Sequence, residues 1–178
     1  FLKEADGYVS GQELCERLGV SRTAIWKAIR QLESEGYEIE AVRNRGYRLH
    51  DSADILNEAE IRAALTTKWP GHPVKFLEEI DSTNKEVRRM AEQGAPSGTL
   101  AVAEIQTAGK GRRGRSWSSP KGSGIWHSFL LRPDFAPTYA SMLTLLTAMA
   151  VQKAVKDATG LESQIKWPTD IVVNGKKV

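Results

Sequence analysis

The punctuation of the first fifty residues restricts the fold more than any other feature of this 178-residue chain. Ser10 followed three residues later by Glu13 forms a capping box, which satisfies two otherwise orphaned helix donors reciprocally. The short helix it opens carries Leu14 and Leu18, and Gly19 stands where a left-handed residue ends it. Val20 follows, and Ser21 caps a second helix. That helix runs to about Glu35 with Ile25, Ile29 and Leu32 as its buried stripe, and Gly36 ends it. Tyr37 to Val42 predicts a strand, Arg43-Asn44-Arg45-Gly46 a tight turn, and Tyr47 to Leu49 the return strand. Two short helices, a brief connection and a small hairpin make a winged helix-turn-helix over residues 1–50.

The exposed face of the second helix then carries Arg22, Thr23, Trp26, Lys27 and Arg30, with Ser21 at its start. Arg and Thr can meet base edges, and Lys and Arg can meet phosphates. Arg43, Arg45 and Arg48 add charge to the wing. Ser21, Arg22, Thr23, Lys27, Arg30, Arg43 and Arg45 are therefore the candidate DNA contacts, and the competing use of such a helical pair is protein contact. Trp26 is assigned to the core. Domains of this shape bind as dimers on two half-sites.

The rest of the composition sets limits. Hydrophobic residues make up 40% and charged residues 26%, and the net charge of +3 is too small for a general polyanion binder. Positive charge must act by location. Cys15 is the only cysteine, which rules out an internal disulfide and points to a reducing, cytoplasmic setting. Its place in an apolar helical pattern predicts a buried structural thiol. No apolar run is long enough to span a bilayer, and no membrane partner is expected. His50, His72 and His127 lack metal-ligand spacing, so no protein metal site is expected. The chain opens at Phe1 without a methionine and closes just after an Asn174-Gly175 hairpin turn, so a further C-terminal portion is expected.

Residues 51–54 are polar and predict a linker to a second domain over 55–178. There Asn57 and Glu60 open a short helix with Ile61 and Leu65. Val74 to Ile80 is a strand, followed by a helix with Val87 and Met90. Leu100 to Ala103 and Ile125 to Leu131 are strands. Pro137 to about Thr159 is a long helix with Met142, Leu145, Leu146, Met149 and Val155 inside. Gln164 to Trp167 and Ile171 to Asn174 complete an α+β domain with helices on one face of a largely antiparallel sheet.

Between two of those strands, residues 106–117 hold four cations, three glycines and a tryptophan, with no acidic residue. Glycine lets a backbone approach a ligand, cations suit a polyphosphate, and an indole face suits a base. Gly109, Gly111 and Gly114 match G-x-G-x-x-G, but no helix can open in the Ser- and Gly-rich residues that follow, so a dinucleotide fold is excluded. The segment predicts a long, flexible, basic loop, which serves either a nucleotide or as a solvated or nucleic-acid-touching surface. Ser82, Thr83 and Asn84 sit at a strand-to-helix junction, where they either cap the helix or meet an oxygen-rich ligand. Lys166, flanked by Ile165 and Trp167 in a short strand, is either functional or a charge guarding an edge.

Asp81-Ser82-Thr83-Asn84, the run Ala108 to Trp117, and Lys166-Trp167-Pro168-Thr169-Asp170-Ile171 together resemble the biotin–protein ligases, and the preceding winged helix resembles their bifunctional bacterial form, which is also an operon repressor. The resemblance implies a class II synthetase-like mixed sheet. It also implies that biotin and ATP, with Mg²⁺, give biotinoyl-5′-adenylate, from which biotin passes to a lysine of a biotin carboxyl carrier protein. It implies biotin contacts from Ser82, Thr83, Asn84, Gln106, Lys110, Gly111, Arg112 and Lys166, and ATP contacts from Arg112, Arg115 and Trp117. Lys166 and Arg112 would be catalytic, stabilising charge at the phosphorus centre. A homodimer formed with the adenylate would bind operator DNA. Lys110 stands where the family usually has arginine, and Thr169 where it usually has asparagine. Two other readings remain: a ligand-sensing regulator with weak ligase activity, and a lipoate or octanoate ligase relative.

Overall fold

The computed structural model describes residues 1–50 and 55–178; the expected linker at 51–54 lies outside the described residues. Two compact units are distinguished, residues 1–131 and 132–178.

The first unit begins with the winged helix. Helix α1 spans Gly11–Leu18, and the Ser10 hydroxyl accepts from the Glu13 amide at 3.0 Å. Gly19, with φ 67°, closes it by donating its amide to the Cys15 carbonyl. Helix α2 spans Arg22–Ser34, with the Ser21 hydroxyl accepting from the Ala24 amide at 3.3 Å. Val9, Leu14, Ile25 and Ile29 form the buried cluster, with Leu2, Cys15, Ile39 and Tyr47 packed against it. Cys15 is half-buried, a packing residue at the margin of that core. Trp26 corrects the expectation: it is 52% exposed, because the one stripe that α2 buries is taken by Ile25 and Ile29. Its ring instead lies beneath the Arg30 guanidinium, 5.7 Å from centroid to Cζ.

Strands β1 (Ile39–Val42) and β2 (Gly46–Leu49) form the antiparallel wing, starting two residues later than the sequence pattern predicts. The Val9 amide donates to the Tyr47 carbonyl at 2.8 Å and the Tyr47 amide to the Val9 carbonyl at 2.9 Å, pinning the wing to the chain ahead of α1. Gly46 is obligatory at this crossing. Its φ is 112°, and a Cβ there would fall 2.0 Å from the Val9 carbonyl oxygen.

Helix α3 (Glu58–Ala64) is capped by Asn57, whose side-chain oxygen accepts from the Glu60 amide at 2.8 Å. Its Ile61, with Leu65 just beyond, packs on buried Val74, Leu100 and Val102. Those residues belong to β3 (Val74–Ile80) and β4 (Leu100–Lys110), which pair in parallel through helix α4 (Thr83–Glu92). A parallel pair needs such a crossover. β4 also pairs antiparallel with β5 (Ser116–Ser119) and with β6 (Trp126–Phe129). The sheet is therefore mixed, with one parallel pairing and two antiparallel ones, in keeping with the largely antiparallel sheet that the sequence predicts.

In the second unit, a 3-10 turn at Pro137–Tyr139 leads to α5 (Ser141–Thr159), which ends at Gly160 with φ 71°. The helix packs on β7 (Gln164–Lys166) and β8 (Asp170–Val173), and β8 pairs with β9 (Lys176–Lys177) across the Asn174-Gly175 turn. The expectation for its core is corrected. Met142, Leu145, Leu146 and Met149 are exposed, Val155 is half-buried, and Ala148 alone on α5 is buried. The helix is apolar over most of its circumference, and strands of two to four residues cover only one stripe of it.

Candidate ligand and nucleic-acid sites

Residues 106–119 do not form the long loop that their glycines and cations predict. β4 runs on to Lys110, a 3-10 turn covers Arg112–Gly114, and β5 returns, with Gly109 opposite Trp117 and Lys110 opposite Ser116. Glycine and lysine disfavour strands, which is why the pattern reads as a loop. Here a strand already hydrogen-bonded on both sides extends into the segment, and the left-handed pair Arg113 (φ 59°) and Gly114 (φ 73°) turns it back. The Gly111 amide donates to the Arg115 carbonyl at 2.8 Å and closes the tip. Lys110, Arg113 and Arg115 are exposed there, and the Trp117 ring lies against Gly111. Of Arg112 only the backbone is described.

A bulge sets this hairpin on the rest of the sheet. Between the pairs Gln106–Ser119 and Gly109–Trp117, β4 holds one residue more than β5. Of the bulged residues, Ala108 donates its amide to the Asp81 carbonyl at 2.8 Å. The base of the hairpin is thereby tied to the junction that opens α4.

At that junction Ser82 and Thr83 are buried, with Thr83 only 2% exposed, while Asn84 is exposed. Ser82 makes no side-chain cap, so the capping alternative fails for it. The Thr83 amide donates to Gln106 Oε1 at 2.9 Å, and the Thr83 hydroxyl lies 3.1 Å from the same oxygen. That hydroxyl is also 2.9 Å from Ser128 Oγ on β6, and Gln106 Nε2 donates to Ser119 Oγ at 3.1 Å. Four elements thus bring one amide and three hydroxyls together at the foot of the cationic hairpin. Ser119 and Ser128 were missed from sequence; neither carries a spacing signal, and only the pairing register reveals them.

Asp81 anchors the junction. Arg89 bonds both its carboxylate oxygens, at 2.8 and 3.2 Å; Lys85 adds a contact at 3.1 Å, and the Ser82 amide donates at 2.8 Å. Arg89 above all, then Lys85, hold the Asp81 carboxyl far below the usual carboxylate range. Glu86, buried behind it, accepts from Lys75 at 2.6 Å and from Arg89 at 3.0 Å. Lys75 first and Arg89 after it lower the Glu86 carboxyl, against the opposing effect of burial.

In the second unit Lys166 is exposed on β7, opposite Asp170 on β8. Asp170 accepts from Lys177 at 2.8 Å and from the Thr169 hydroxyl at 3.3 Å, and Lys177 chiefly holds its carboxyl below the ordinary value.

A separate basic surface lies on the winged helix. Arg22, at the start of α2, and Arg43 and Arg45, of the wing turn, line a cleft of about 500 Å³ with no carboxylate in its wall. Thr23 and Lys27 are exposed on α2, Arg30 also pairs with Glu33 at 3.1 Å, and the Ser21 oxygen is engaged in its cap. Among the described residues there is no cluster of acidic, histidine and cysteine side chains able to hold a metal, and no helix long and apolar enough to cross a membrane.

Fold and site define a class of two-part proteins, in which a winged helix precedes an α+β domain with a cationic hairpin rising from a cluster of bonded polar side chains. Residues 76–178 match the biotin/lipoate A/B protein ligase family, and residues 1–48 match a helix-turn-helix domain. The chain belongs to the biotin/lipoate A/B protein ligase family. It is 46% identical to the bifunctional ligase/repressor BirA of Bacillus subtilis over 177 residues, 99% of this chain and 54% of that protein. It is 35% identical to the BirA of Escherichia coli, over 95% of this chain and 51% of that one. Biotin protein ligase from Aquifex aeolicus, solved with biotin and ATP, superposes with a TM-score of 0.52 at 37% identity, covering 60% of this chain and 44% of that one. The chain spans about half the length of the curated relatives it matches.

Proposed function

We propose that the full-length protein is an ATP-dependent biotin–protein ligase that also represses transcription in response to biotin, with residues 1–50 reading operator DNA and residues 55–178 contributing to catalysis. The observation that carries this is the Thr83–Gln106 array at the foot of the cationic hairpin. A cyclic urea offers two N–H donors and one carbonyl acceptor. The Gln106 amide and the hydroxyls of Thr83, Ser119 and Ser128 supply donors and acceptors of the matching kinds.

Biotin enters with its ureido ring at Ser82, Thr83 and Gln106, near Asn84. Lys110, Gly111 and Arg112 close over it, while Arg115 and Trp117 take the phosphates and adenine of ATP, whose Mg²⁺ arrives as part of that substrate. A carboxylate oxygen attacks the α-phosphorus, and the bond to pyrophosphate breaks with its electron pair. Lys166 and Arg112 serve as the cations that stabilise the charge as it develops. The carrier lysine amine then attacks the acyl carbon, AMP departs, and the nitrogen loses a proton. A cytoplasmic homodimer, formed with the adenylate in place, presents two basic clefts to operator half-sites.

Pyrophosphate release by the full-length protein with biotin and ATP tests this, with lipoate in parallel. Release with biotin alone is expected. Release with lipoate alone moves the activity to the other branch of the family, and release with neither ends the catalytic reading.

A further inference from the structure

Ser119 is 3% exposed and belongs to none of the motifs that mark the site. Its hydroxyl oxygen accepts one N–H of Gln106 at 3.1 Å, on the opposite end of the amide from the Thr83 contacts. The pairing of Gln106 with Ser119 is the last before the bulge, so the register of the hairpin decides that these two meet. Gly109 seals the pair from above. A Cβ there would lie 3.2 Å from Ser119 Oγ, 3.4 Å from Gln106 Nε2 and 2.9 Å from the Trp117 carbonyl oxygen. No larger residue fits without prising β5 from β4.

The consequence follows from counting donors and acceptors. Gln106 Oε1 receives the Thr83 amide and hydroxyl, and one Nε2 hydrogen goes to Ser119. An amide fixed at both ends cannot rotate about its last torsion. Among the described residues one Nε2 hydrogen remains uncommitted, and its direction is set by the two fixed ends. We infer that Ser119 is a positioning residue: it locks the plane of the Gln106 amide so that this hydrogen is presented to the small acid. The inference rests on the proposed function and deepens it, because it concerns how the same site recognises biotin. Without Ser119 the amide is held at Oε1 alone, and the ordering it gave up beforehand must be met on binding.

A double-mutant cycle on biotin affinity, measured by calorimetry on the full-length protein, tests it. Ser119→Ala is expected to weaken biotin about 3–10-fold, the worth of one neutral hydrogen bond. Gln106→Ala is expected to weaken it at least as much. Added to Gln106→Ala, the Ser119 change is expected to cost nothing further, since its effect passes through that amide. A Ser119 that served only to pack the hairpin would instead cost the same in both backgrounds, and that result overturns the inference, as does an unchanged affinity in the single variant. Ser119→Cys, which keeps the volume and weakens the acceptor, carries the same cycle if alanine loosens the fold. Failure of the unaltered protein to bind biotin at all is a distinct outcome and removes the proposed function along with the inference.

Discussion

Replacing Gly46 by alanine should separate the two halves of the function. The added Cβ would lie 2.0 Å from the Val9 carbonyl oxygen, and ordinary contact begins at 3.4 Å, so the backbone must part by roughly 1.4 Å. That movement breaks the reciprocal Val9–Tyr47 pair, with bonds of 2.8 and 2.9 Å. Each contributes about 1 kcal/mol net. The positive φ adds a further 1–2 kcal/mol or so of strain. The sum, about 3–4 kcal/mol, is comparable to the roughly 3–5 kcal/mol that a core of this size supplies. The winged helix should then be largely unfolded while the sheet around β4, which shares none of these contacts, stays intact. Melting followed by tryptophan fluorescence should show an early transition. Operator binding should fall more than tenfold, and adenylate synthesis should fall by a smaller factor, because the Glu60 contacts of Lys3 and Tyr37 are lost with the wing. Operator affinity and melting both unchanged would refute the reasoning, since no relaxation that spares the wing accommodates that atom.

Lys166→Ala should lower single-turnover adenylate synthesis by two orders of magnitude or more, in the range of a lost charge-stabilising donor, with unfolding unaffected; near-normal rates would remove Lys166 from the chemistry. Arg22→Ala and Arg45→Ala should each weaken DNA binding across sequences and reduce the salt slope by about 1, as read from titrations at several salt concentrations. Glu86 has a folded value below its unfolded one, so the stability it adds is fully present above about pH 4.3 and is lost as pH falls through the lower folded value. Glu86→Gln should therefore flatten the dependence of unfolding free energy on pH below that point. Amides 110–117 should gain hydrogen-exchange protection when biotin and ATP are added, because the Gly111–Arg115 bond closes the exposed tip of the hairpin and the ligands add further contacts; equal protection with and without them would count against closure.

Local signals carried the winged helix. Ser10, Gly19 and Ser21 act on residues no more than four positions away, and a chemistry that short in range can be read in order along the chain. Trp26 went astray because periodicity locates a stripe but not its width, and Ile25 and Ile29 filled this one. The same limit applies to α5, where apolar spacing implied burial that three short strands do not provide. Of the proposed ligand site, Thr83 and Gln106 were marked by the family resemblance, whereas Ser119 and Ser128 depend on strand register, a long-range property. The hairpin at 106–119 was hidden for that reason too: its residues have poor intrinsic strand preference, and its conformation is imposed by β4 and the bulge.

Glu60 has a role that reaches past capping. Helix α3 buries Ile61 against the sheet, while the Glu60 carboxylate one residue earlier is gripped from the other side by the Lys3 ammonium and by the Tyr37 phenol at 2.5 Å, which in turn accepts from Asn57 at 3.1 Å. Excising the first fifty residues to obtain a minimal ligase would strip that carboxylate of both its counterparts and bare the end of a helix wedged against Val74 and Leu100. The amino-terminal module is therefore no detachable accessory, and a shortened enzyme should inherit a loosened scaffold as well as a lost repressor.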